Sequence, residues 1–197
     1  MARPRRCRRW AAPSAWAWLL ALALAGCGSG PLPAPALEVY PLGGDFALTD
    51  HHNQPFVLSD HRGQVFVLFF GFTSCPDVCP VILSRLATAQ GLLGRGGASV
   101  TILFATVDPR RDTPARMAEY LQAFDGHIIG LTGSEEQIRR VTASYGAGFE
   151  VEGASAEGYG MGHSSRAYLI DGKGQVRYLF SETDPPETIA GAAAQLL

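Results

Sequence analysis

The segments QVFVLFFGF (64–72) and SVTILFATV (99–107) are unbroken runs of β-branched, aromatic and aliphatic residues with almost no polar alternation. They are strand length, and as strands they leave no face for water. A chain with two such strands must place material on both sides of a sheet. The intervening sequence provides it. Val78, Ile82, Leu83, Leu86 and Leu93 follow helical spacing, with Pro76 and Pro80 near the start, where proline is tolerated. DTPARMAEYLQAF (112–124) opens with Asp112 and Thr113 as candidate caps and Pro114 in the first turn. SEEQIRRVTASYG (134–146) starts on Ser134, carries carboxylates in its first turn, and stops at Gly146.

Shorter elements complete the pattern. DFALTD (45–50) and QPFVLSD (54–60) flank HHN and predict a small hairpin. HIIGLTG (127–133) is a short strand. RAYLIDGKGQVRYLF (166–180) is two strands joined through Asp171-Gly172-Lys173-Gly174, and the last residues form a proline-started helix. After the leading hairpin the order is β–α–β–α–β–α–β–β–α. Such alternation implies an α/β fold, a central mixed sheet flanked by helices. The closing hairpin and terminal helix are what a thioredoxin-like fold with an N-terminal β-hairpin extension would show.

The N-terminus belongs to a different kind of segment. MARPRRCRRW carries five arginines and no acid, and residues 15–25 are all small, aliphatic or Trp. A charged stretch followed by an apolar one shorter than the roughly 18 residues of a spanning helix predicts a signal peptide. It ends in LAGC, which resembles a bacterial lipobox and implies cleavage before Cys27 and lipidation of its sulfur. The expected divisions are a signal at 1–26, a lipidated Cys27 with a Gly/Pro-rich tether to residue 38, and one domain over 39–197. An exported, lipid-anchored protein on the periplasmic side of a bacterial membrane is the expectation. Of four cysteines, Cys7 leaves with the signal and Cys27 becomes the anchor, so only Cys75 and Cys79 remain in the domain. Losing the five arginines leaves 11 basic residues against 18 acids, a net charge of −7. That balance argues against nucleic acid as a partner.

Cys75 and Cys79 fall where the first buried strand gives way to the first helix. Residues four apart on a helical turn share a face, so the sulfurs can approach each other or share one ion. A helix N-terminus favours negative charge and is expected to lower a thiol's pKa. Thiolate serves both disulfide exchange and soft-metal binding, and a structural disulfide is a third role open to the pair. A bridge closing so small a loop would contribute comparatively little stability.

GFTSCPDVCP (71–80), TVDPRRDTPARMAEYLQAF (106–124) and GYGMGHSSRAYLID (158–171), in that order, resemble the signature segments of the Sco/SenC family. These are thioredoxin-like copper proteins of cytochrome c oxidase assembly. The resemblance covers most of residues 45–180. It implies copper, as Cu(I) and also Cu(II), held by Cys75, Cys79 and His163. It further implies a partner in cytochrome c oxidase subunit II, with its CuA site, besides other copper chaperones or thiol reductants. Two thiolates and an imidazole form a soft three-coordinate set that suits copper, whereas structural zinc nearly always takes four ligands. The glycine-rich approach to His163 suggests a mobile segment, and Met161 is a further thioether donor or simple filler. Asp77 either adds negative charge beside a cation or caps the helix. Asp108 is a turn former or a chemical group. His51 and His52 are turn residues that could bind metal weakly, and His127 has no partner at ligand spacing.

Two other functions compete with copper delivery. A thiol–disulfide oxidoreductase, with the redox pair Cys75 and Cys79, would reduce the cysteines of a partner's copper site. Oxidoreductases of this fold use C-x-x-C opposite a cis-proline, and no proline lies between Pro114 and Pro185. A thiol peroxidase would need a proline, then a threonine three residues before the cysteine. Thr73 is only two before it, and residues 69–72 lack proline.

Overall fold

The computed structural model describes residues 32–155, 158–163 and 166–197, with side chains described outside 150–165. The expected signal peptide and Cys27 lie outside the described residues. The strands are β1 (Ala47–Asp50), β2 (Pro55–Val57), β3 (Val65–Gly71), β4 (Val100–Thr106), β5 (Ile128–Thr132), β6 (Phe149–Ser155), β7 (Gly158–His163), β8 (Ala167–Ile170) and β9 (Val176–Phe180). All but β6 and β7 join one sheet in the order β2-β1-β5-β4-β3-β8-β9. The pairs β3–β4 and β4–β5 are parallel and the others antiparallel, so the sheet is mixed, as expected.

The two apolar runs, β3 and β4, lie at the centre, and every residue of both is buried. Successive residues of a strand face opposite ways, so each run supplies two cores. On one face Val67 and Ile102 meet Leu86, Ala89, Ile189 and Ala190, from helices α1 (Val78–Leu92) and α4 (Pro186–Ala194). On the other, the Phe70 ring stands edge-on to Tyr145 and Tyr168 at 5.8 Å each. Tyr145 follows α3 (Glu135–Ser144), whose capping box pairs Ser134 with Gln137. Helix α2 (Pro114–Leu121) packs beside β5 and is capped by Thr113, whose hydroxyl accepts the Arg116 N–H.

Two segments depart from expectation. The glycine-rich stretch before β8, in which the sequence pattern marks no element, holds a hairpin: β6 and β7 pair antiparallel, with Phe149 opposite His163. Glycine is depleted in strands, which is why its pattern does not announce one. Residues 32–38, expected to form a tether free of the core, lie against α4 and β9. Leu32 and Leu37 pack on the core, and the Gln195 amide donates to the Pro35 carbonyl at 2.9 Å. Glu38 and Tyr40 N–H groups donate to the Arg177 and Val176 carbonyls of β9 at 3.1 and 3.0 Å. Among the described residues, no helix is long and apolar enough to cross a membrane.

Candidate metal centre

The β3 strand ends at Gly71, and a short loop carries Cys75 to the start of α1, where Cys79 is the second helical residue. Cys75 is half-buried and Cys79 fully buried, and no disulfide joins them. A helix start leaves N–H groups to satisfy. Asp77 occupies the N-cap position of α1, yet its side chain makes no capping bond, so its expected capping role is not found. Pro80 has no N–H to offer. The Cys79 N–H donates instead to the Cys75 sulfur at 3.4 Å. The spacing of four thus closes a one-turn loop in which one cysteine's sulfur caps the other's backbone.

Cys79 is seated by a glycine. A Cβ built on Gly71 would lie 2.9 Å from the Cys79 sulfur, 2.7 Å from the Phe104 ring and 3.1 Å from Phe69. Only a residue without a side chain lets the sulfur settle against the strand. Beneath it the rings of Phe69 and Phe104 stack at 6.0 Å, and Tyr120 of α2 stacks on Phe104 at 5.8 Å.

This apolar seat reverses the expected charge behaviour. Burial pushes the Cys79 thiol above the ordinary thiol range, against a backbone hydrogen bond with Phe72, and the negative charges of Cys75 and Asp112 push the same way. Desolvation therefore outweighs the helix N-terminus here. Asp112, expected as a helix cap, is instead fully buried behind the cysteine loop. Its carboxylate accepts the Thr73 N–H at 2.9 Å, the Thr73 hydroxyl at 2.6 Å and the Thr106 hydroxyl at 2.6 Å. Its carbonyl accepts from Thr132 at 2.9 Å. One residue so ties the cysteine loop to β4 and β5. Asp108 is also buried. It forms the turn that its sequence suggests, its carbonyl accepting the Asp112 N–H at 3.0 Å, and pairs with Arg111. The Arg111 guanidinium lies 5.9 Å from the centre of the Phe72 ring.

His163 ends β7, and its side chain, like that of Met161, lies outside the described residues. Its backbone is placed by topology. β8 begins at Ala167, which pairs with Phe69 near the end of β3. The chain before Ala167 and the loop after Gly71 therefore leave the same end of the sheet, one carrying His163 and the other Cys75. The remaining histidines have local roles. His51 Nδ1 accepts the Gly130 N–H at 3.0 Å, and its ring lies 4.1 Å from that of His52 in the hairpin turn. His127 Nδ1 meets the Thr101 hydroxyl at 3.1 Å. Among the described residues, no group of three or more His, Cys, Asp or Glu side chains is placed to hold a metal.

The sequence does not single out Gly71, Phe104, Tyr120 or Asp112 as part of this site. Asp112 carried one signal, an acid followed by Thr-Pro, but that signal favours a cap equally well.

The sequence profile of the SCO1/SenC family matches residues 35–197. An SCO2-like protein of Rickettsia conorii is 37% identical over 149 residues, covering 74% of this chain and 73% of that protein. The solved structure of Bradyrhizobium japonicum ScoI with copper bound superposes with a TM-score of 0.74 at 35% identity, over 79% of this chain and 99% of that one. Yeast Sco1 with copper bound gives a TM-score of 0.71 at 32% identity, over 77% and 85%.

Proposed function

The chain belongs to the SCO1/SenC family and has its thioredoxin-like fold, and from that premise we propose that it is a copper carrier whose ligands are Cys75, Cys79 and His163. The observation that carries this is the shared sheet end: the segment bearing both thiols follows β3 and the segment bearing His163 precedes β8 at the same end of the sheet. Copper is cargo here. It is bound by displacing the protons of two thiols and taking an imidazole nitrogen lone pair, and two thiolates with one imidazole are a soft donor set. Because copper takes the sulfurs as thiolates, the burial that raises the Cys79 thiol makes loading compete with its proton.

The recipient in this proposal is the CuA site of cytochrome c oxidase subunit II, and the family resemblance is the support for it. The protein is proposed to work from a membrane, held by lipid on Cys27, on the periplasmic side. A second role, reduction of a partner's cysteines, is favoured by one feature: Cys75 is only half-buried and free. It stands as a companion to copper binding, because an oxidised pair releases Cu(I).

The test is copper stoichiometry and affinity of the fully reduced protein beside His163→Ala. One tightly held copper per chain, lost or much weakened in the variant, is the expected result. Equal affinity removes His163 from the site. No tight copper, with rapid turnover of small disulfides, replaces copper carriage by dithiol chemistry.

A further inference from the structure

Tyr120 presents a buried hydroxyl with no hydrogen-bond partner among the described residues. Such groups are rare, since a buried hydroxyl left unsatisfied costs folding free energy. Its ring is fixed on both sides, stacked on Phe104 at 5.8 Å and tilted against Phe124 at 5.2 Å. Phe104 is the ring that, with the Cys79 sulfur, fills the space a Gly71 side chain would need. Tyr120, Phe104 and Cys79 are therefore consecutive members of one packed layer.

A neutral thiol is a weak acceptor, so in the copper-free state the hydroxyl gains little from the sulfur. A thiolate, free or on a metal, is a strong one. We propose that Tyr120 is a positioning residue of the copper site, its hydroxyl donating a hydrogen bond to the Cys79 sulfur when that sulfur carries charge, so that the group left unpaired in the empty protein is satisfied by loading. This inference rests on the copper-carrier function proposed above.

Tyr120→Phe keeps the ring stack and removes only the hydroxyl. Copper dissociation constants of wild type and variant are measured with a chromophoric Cu(I) competitor. Unfolding temperatures are taken without copper, and the sulfur-to-Cu(II) charge-transfer band with it. The variant is expected to bind Cu(I) about tenfold more weakly, the loss typical of a hydrogen bond to a charged group. Its band moves to lower energy, because the sulfur lone pairs lose their donor. The copper-free variant unfolds at the same temperature as wild type or higher. An unchanged dissociation constant with an unmoved band overturns the inference while leaving the copper site intact. A lowered copper-free unfolding temperature with unchanged affinity also overturns it, by giving the hydroxyl a structural partner. A wild type that binds no copper overturns the copper-carrier function, and this inference with it.

Discussion

The sulfur of Cys75 accepts the backbone N–H of Cys79 at 3.4 Å and takes the place of the capping oxygen that Asp77 does not supply. Capping and metal binding are thus two separable jobs of one atom. Serine at position 75 keeps an acceptor, alanine does not. Cys75→Ala is expected to lose about 1 kcal/mol of stability and Cys75→Ser less than half of that, while both lose tight copper. Urea unfolding with copper titration on each variant checks it. Equal stability of the two would mean that the sulfur does not cap.

Gly71→Ala puts a methyl group where the Cys79 sulfur and the Phe104 ring already are, at 2.9 and 2.7 Å. Overpacking of this kind costs about 1–3 kcal/mol. The sulfur is the atom best able to shift, so copper affinity is expected to fall together with stability, as read by thermal unfolding and competition for Cu(I). Full affinity in a destabilised variant would show that the strand yields and the sulfur does not.

Copper uptake should release the Cys79 proton, since burial holds that thiol above the ordinary range in the empty protein. Apparent affinity then rises with pH by up to about tenfold per unit for each proton displaced, across about pH 6 to 8. Calorimetry in buffers of different ionisation heat counts the protons directly. A pH-independent affinity would require a thiol already ionised.

Acid should act through Asp171. Burial pushes its carboxyl up, but hydrogen bonds from the Gln175 N–H, the Arg177 guanidinium and the Lys173 N–H outweigh it and hold the group below the usual carboxylate range. The unfolded chain therefore takes up this proton first. The stabilisation is complete above the ordinary carboxylate pKa of about 4 and drains away as pH falls below it. Asp171→Asn should be less stable at neutral pH and lose less on acidification. Unfolding temperature against pH, for both chains, gives the comparison; parallel curves would exclude Asp171 as the source.

Strands β3 and β4 are legible in the sequence because burial on both faces leaves no choice of residue type. The Thr113 and Ser134 caps are legible because capping is local. What escapes is set by contacts between distant segments. Asp112 looks like a cap from its neighbours, and only Thr73, Thr106 and Thr132, brought together by folding, make it a buried anchor. Tyr120 looks like one more core position on a helix. Cys79 sits at a helix N-terminus, where charge is favoured, yet Phe69 and Phe104 close over it from two strands and reverse the preference. The β6–β7 hairpin is hidden by its own glycines, a residue type depleted in strands.

Residues 38–40 run along the outer side of β9 and take up its carbonyls. An unpaired strand edge is a template on which another polypeptide can add itself, and sheet proteins have to blunt such edges. Here the protein's own leading segment occupies the place. An incoming strand therefore finds the Val176 and Arg177 carbonyls at this end of the sheet already taken.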